Sequence, residues 1–119
     1  AMTAGLVTLQ TLMENKNIYN QIEEKTKKLA DAYRNAFGDK VCVNQIGSLM
    51  SIFFTDQEVV DYDTAKTSDT DMYAKYFCYM LDNGINFAPS QFEAMFMSAA
   101  HSDEDIEETC KMIKRFAVE

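Results

Sequence analysis

The stretch VCVNQIGSLMSIFFT, residues 41–55, places β-branched and aromatic residues on either side of Gly47-Ser48. Such side chains suit a pleated surface, and a Gly-Ser pair suits a reversal. Val41–Ile46 and Leu49–Thr55 are therefore expected to be two strands joined by a tight turn or bulge. On the amino-terminal side the period changes. Leu6, Leu9, Met13, Ile18, Ile22, Leu29, Tyr33 and Phe37 recur at helical spacing, and the polar run Glu14–Asn17 divides them into two helices. Asn15 or Asn17 is the expected N-cap of the second helix, and Gly38 its stop.

On the carboxy-terminal side, Asp56–Thr70 is acidic and polar and reads as a surface loop. Its carboxylates lack the DxDxDG spacing of a calcium loop. Ser68–Thr70 can cap a helix over Asp71–Asn83 whose stripe is Met72, Tyr73, Tyr76, Phe77, Met80 and Leu81. Asn83-Gly84 then suits a Schellman end. Ile85–Ala88 and Met95–Ala99 are expected to be short strands, separated by Pro89, which cannot donate to a ladder. Ser102 with Asp105 forms a capping-box pattern ahead of Asp103–Ala117, where Ile106, Cys110, Ile113 and Ala117 share a face. The order α-α-β-β-α-β-β-α implies an α+β fold: a two-layer sandwich, with a small antiparallel-type sheet and helices on one face. Residues 1–119 form one expected domain.

Composition narrows the function classes. A net charge of −8 opposes non-specific nucleic-acid binding, which needs clustered Lys and Arg. No apolar run approaches the ~20 residues of a membrane span, and Ala1–Leu12 has no basic start to a signal peptide. Cys42, Cys78 and Cys110 are odd in number and far apart, which suits a reducing cytoplasm. With His101 the sole histidine and no CxxC, no zinc site is expected. The charged face around Glu23–Lys28 reads as solvated helix surface. The sequence contains no GxSxG, P-loop or GxGxxG pattern.

Two residues stand out. His101 precedes a helix cap, where a structural hydrogen bond and a functional role are both open readings. Glu93 lies in an apolar and small-residue run after Pro89-Ser90. A carboxylate there is either an exposed loop residue or one lining a wet cleft, because burying it unpaired is costly.

The segments VNQIGSLMSIFFTD (43–56), DTAKTSDTDMYAKYFCYMLDNGI (63–85) and FAPSQFEAMFMSAAHSDEDIEETCK (87–111) resemble the C-terminal third of the glutamate-1-semialdehyde 2,1-aminomutase family. The opening AMTAGL is similar to the residues directly after that family's GTLSGNPL segment. PSxFEA and SxAH are the specific parts; the first two helices are more generic. Met95 departs from the Gly many members carry, which bears on local strand geometry.

The resemblance implies a class III aminotransferase of fold type I, dependent on pyridoxal phosphate, converting glutamate 1-semialdehyde to 5-aminolevulinate for tetrapyrrole synthesis. It implies that the cofactor-linking lysine and phosphate cradle lie in a large domain upstream, so this portion has no catalytic, cofactor-binding or metal-binding residue and is inactive alone. Glu93 is implied at the substrate edge, where many relatives use an arginine for the substrate carboxylate; Ser90 is implied to bind substrate with it, and Gln91 to shape the same loop. The partners implied are the large domain and a homodimer mate.

Ala1-Met2 is not a natural start, and the helical pattern is under way by residue 3. The expectation is a C-terminal small domain whose residues 1–15 end a helix leading from the large domain. A free-standing α+β ligand-binding or regulatory module remains open, as does the small domain of another class III aminotransferase.

Overall fold

The hairpin forms as expected. In a computed structural model describing residues 1–119, β1 (Cys42–Ile46) and β2 (Leu49–Phe53) pair antiparallel from Cys42↔Phe53 to Ile46↔Leu49. Gly47 turns the chain at φ 54°, in the left-handed region where a side chain would be strained. β3 (Met95–Phe96) adds antiparallel to β2, giving the order β1-β2-β3.

Alternation along β2 sorts its residues between two faces. Met50 and Ile52, each 2% exposed, enter the main core, and Phe54 continues that face. Three helices cover it: α2 (Ile18–Phe37), α4 (Thr70–Asp82) and α5 (Asp103–Val118). α2 contributes Leu29, Ala30, Tyr33 and Phe37 and α4 contributes Tyr73, Tyr76 and Met80 at helical spacing, while α5 buries Met112 and Ile113 with Cys110, Phe116 and Ala117 packed beside them. The α+β fold holds, with these three helices on one face of the antiparallel sheet.

At the centre, the hydroxyls of Tyr33 and Tyr76 hydrogen-bond to each other, each residue wholly buried. The Tyr76 ring also meets Phe54 at 5.7 Å, Tyr73 at 5.8 Å, Phe87 at 5.9 Å and Phe116 at 5.6 Å between centroids. Burial raises both phenol pKa values above the ordinary range.

The helix ends follow local chemistry. At α4, Asp69 accepts from Met72 N–H at 2.9 Å, within the expected Ser68–Thr70 cap. Its far end is the Schellman arrangement, with Ile85 N–H bonded to Met80 O and Gly84 N–H to Leu81 O. The Ser102–Asp105 capping box opens α5. Asn17 occupies the N-cap position of α2, but its side chain makes no cap bond.

Four expectations require correction. Ile85–Ala88 is not a strand: Ile85 N–H is spent on the end of α4, Ala88 O accepts from the Tyr73 hydroxyl, and Pro89 has no N–H. The second strand shrinks from Met95–Ala99 to Met95–Phe96, because Ser98–His101 closes a turn instead. The order is thus α-α-β-β-α-α-β-α. Asp56–Thr70 is more than a surface loop. It holds α3 (Tyr62–Ala65), capped reciprocally by Asp61 and Thr64, and buries Val59 and Ala65 against Phe53 on the opposite face of β2. In the α4 stripe, Leu81 is exposed.

α1 (Met2–Glu14) is the exception to burial. None of its residues is buried, and Leu6, Leu9 and Met13 are 57%, 62% and 73% exposed. A helix of this length is marginal in water without tertiary packing.

Leu9→Glu should change the denaturant stability of this chain by no more than about 0.5 kcal/mol, whereas Ile113→Ala, in the dry core, should cost about 2–5 kcal/mol. Comparable losses would place α1 in the core. The tyrosine pair sets the alkaline limit. Both folded pKa values lie above the unfolded 10.0, so their contribution is complete below pH 10 and lost as pH rises beyond it. The denaturation midpoint should be flat from about pH 7 to 9 and fall above 10, and the fall should be shallower in the Tyr33→Phe/Tyr76→Phe double variant.

Candidate functional site

The segment between α4 and β3 is held by side chains. Phe87 stacks on Tyr76 at 5.9 Å, the Tyr73 hydroxyl donates to Ala88 O at 2.7 Å, and Phe92 lies 6.2 Å from Tyr62. Since Tyr73 and Tyr76 are one helical turn apart, a single face of α4 grips two successive residues of the segment. Beyond it, Ser90 O accepts from Glu93 N–H at 3.2 Å and Ser90 Oγ from Phe92 N–H at 3.3 Å, which closes a turn over Ser90–Glu93.

The sequence-predicted residues occupy this turn in three different states. Ser90 is half-buried and spends its hydroxyl on the turn. Gln91 is 3% exposed. Glu93 is exposed and makes no ion pair or hydrogen bond through its carboxylate. Its charge is nonetheless felt: the Tyr73 phenol is pushed up to about 12, first by burial and then by Glu93. The turn thus presents an uncompensated carboxylate beside a protonated phenol.

A cleft of about 620 Å³ opens nearby. Leu29, Met50, Phe87 and Met95 contribute to its apolar lining, and the start of α5 adds Asp105 and Glu108. Ala94 and Met95 line it, but Ser90, Gln91 and Glu93 do not. His101 lies on its wall, where Nδ1 accepts from Ser98 N–H at 3.1 Å and the backbone carbonyl accepts from Lys25 Nζ at 2.6 Å. The imidazole closes a turn and sits apart from the Ser90–Glu93 hydrogen bonds. Asp105 is held below the usual carboxylate range chiefly by its Ser102 hydrogen bonds.

This lining does not suit a phosphorylated cofactor. It contains no Lys or Arg, and its two carboxylates would repel a phosphate. Lys66 and Lys111 pair with Asp63 and Glu108 on helix surfaces, and Lys25 holds the His101 carbonyl. Tyr73 was legible only as core. The one signal for more was a hydroxyl within an apolar stripe, since a buried phenol normally finds a partner.

Comparison with known proteins bears on this geometry. The chain is 53% identical over 112 residues to the glutamate-1-semialdehyde 2,1-aminomutase of Persephonella marina, covering 92% of this chain and 26% of that protein. It is 45% identical over 116 residues to the enzyme of the same name from Acetivibrio thermocellus, covering 98% of this chain and 27% of that one. The chain therefore spans about a quarter of the length of the curated relatives it matches. Among solved structures, it superimposes at TM-score 0.73 on a glutamate-1-semialdehyde-aminomutase from Pseudomonas aeruginosa in complex with PMP, with 15% identity, over 84% of this chain and 23% of that one. A β-phenylalanine aminotransferase from Variovorax paradoxus matches at TM-score 0.68 and 22% identity, over 83% of this chain and 22% of that one. At those identities the structures show a shared fold alone. No protein-family model matches the chain.

The grip of α4 on the segment can be tested with one atom. Tyr73→Phe removes the 2.7 Å bond to Ala88 O and leaves the ring in place. It should cost about 0.5–1.5 kcal/mol in denaturant unfolding, and amide exchange should quicken in peptides covering residues 85–94. Unchanged exchange there would mean that the hydroxyl does not hold the segment.

Proposed function

We propose an enzymatic role from the premise that, over the portion they share, this chain belongs to the glutamate-1-semialdehyde 2,1-aminomutase family. Residues 1–119 are the C-terminal small domain of an aminomutase that converts glutamate 1-semialdehyde to 5-aminolevulinate, with residues 1–15 leading in from a larger domain. That remainder would hold pyridoxal or pyridoxamine phosphate, which supplies the amino-transfer chemistry. The exposed apolar face of α1 is free to pack on the larger domain or a homodimer mate. The three free thiols suit a cytoplasmic setting.

The observation that carries the reading is Glu93: it lies within the PSQFEA run, on a turn fixed by Ser90, with its carboxylate unpaired and facing outward. At the edge of a closing site, that charge repels a substrate carboxylate and attracts an ammonium. It would disfavour ordinary α-amino acids in the pose an arginine would select. Ser90 contributes by holding the turn through its Oγ, which accepts from Phe92 N–H and keeps its own O–H to donate to substrate.

A direct test joins this chain to the remaining three quarters of the Persephonella marina aminomutase. The joined protein should form 5-aminolevulinate from glutamate 1-semialdehyde, and a folded, cofactor-loaded but inactive product would overturn the assignment. In the active protein, Glu93→Gln should lower kcat/KM roughly ten- to a hundredfold, about 1–3 kcal/mol, and raise relative activity on ordinary α-amino acids. Folding stability should be nearly unchanged, since the side chain is exposed. Wild-type kinetics with unchanged substrate preference would reduce Glu93 to a surface residue.

A further inference from the structure

Four polar residues are buried in this chain: Thr26, Thr55, Ser68 and Gln91. Thr26 Oγ1 donates to Ile22 O at 2.7 Å, and Thr55 Oγ1 bonds Thr67 Oγ1 at 2.9 Å. Ser68 leaves one hydroxyl unpaired. Gln91 leaves a whole amide unpaired: it is 3% exposed, and neither Nε2 nor Oε1 has a hydrogen-bond partner. A buried amide with both ends unmade bears its full desolvation cost, whereas an apolar side chain of similar length would not. Folding of this chain alone therefore favours Met or Leu at position 91. Glutamine there needs another reason.

Its setting supplies one. Gln91 sits inside the Ser90–Glu93 turn, two residues from the unpaired carboxylate. Asn86 and Phe87 make no backbone hydrogen bonds, so the segment leading to the turn is anchored by Phe87, Phe92 and the Tyr73 hydroxyl, not by a ladder. Such a segment can shift at modest cost.

We propose that the Gln91 amide is reserved for a peptide group in the remaining part of the whole protein, reached when the Ser90–Glu93 segment shifts, turns the amide outward and seats against that part. A side-chain amide offers one acceptor and two donors, which match the N–H and C=O of a peptide unit. The pairing would fix the position of Glu93 relative to the larger domain. The proposal rests on the reading of this chain as a portion of a longer aminomutase and adds a docking contact to it.

The decisive measurement is hydrogen exchange in peptides covering residues 85–96, in wild type and Gln91→Met, with Gln91→Leu run in parallel in case Met packs poorly. Each variant is made both in the 119-residue chain and in the protein joined to the remainder of the Persephonella marina relative. The expected result is a reversal of sign. Removing the amide should slow exchange in the chain alone and quicken it in the joined protein, by about tenfold in each direction. Slowing in both contexts would mean that the amide never finds a partner; quickening in both would mean that it is already paired within this fold. Either result overturns the proposal. Turnover of glutamate 1-semialdehyde by the wild-type joined protein is read separately. Reversal without turnover would uphold the Gln91 contact and remove the reaction.

Discussion

Everything in this fold leans on the pairing of the Tyr33 and Tyr76 hydroxyls, which joins α2 to α4 in a dry core shared with β2. Two phenols buried there would be costly apart, because each would lose water and gain nothing. Together they satisfy one another, and the rings do the packing. Tyr76 contacts aromatic side chains from β2's continuation, its own helix, the segment after α4, and α5. One residue thereby ties the sheet, two helices and the irregular segment that leads to the candidate site.

The consequence for function is positional. The turn carrying Glu93 comes after a segment gripped by Tyr73 and Tyr76, two residues on one face of α4. The carboxylate is free because its neighbours do the structural work: Ser90 closes the turn, Tyr73 anchors the approach, and Phe92 leans on Tyr62. A charge held at a defined place without an internal partner can act on whatever is brought to it. The cleft beside the turn has two carboxylates and no Lys or Arg in its lining, a surface that would repel a phosphate.

Two features look destabilising if this chain is taken alone: a first helix that buries nothing and an amide that bonds nothing. Both become reasonable in a larger assembly. Apolar residues at helical spacing in α1 gain by docking, and a buried amide gains by meeting a complementary group. The match to about a quarter of each aminomutase relative is consistent with that supply of partners.

The hairpin, the three core helices, the Schellman end of α4 and the Ser102–Asp105 cap were legible in sequence because local chemistry determines each. A β-rich pair of runs around Gly47, helical periodicity, and a serine three residues before an aspartate act within a few residues of themselves. The resemblance to the aminomutase family was carried by PSQFEA and its flanking segments, and it singled out Ser90 and Glu93. Their environment was not legible. Ile85–Ala88 has strand-like residues, but α4's end and Tyr73 take its hydrogen-bonding groups, and those competitors are known only once the helix is docked. Asp56–Thr70 reads as a polar loop because its charges outnumber Val59 and Ala65, yet those two cover Phe53 on the far face of the sheet. Gln91 reads as a loop polar residue and is buried, while Leu81 reads as core and is exposed. Local propensity sets which element forms; only the packing of elements against one another decides which backbone groups remain free, which face is dry, and where one carboxylate stands uncompensated.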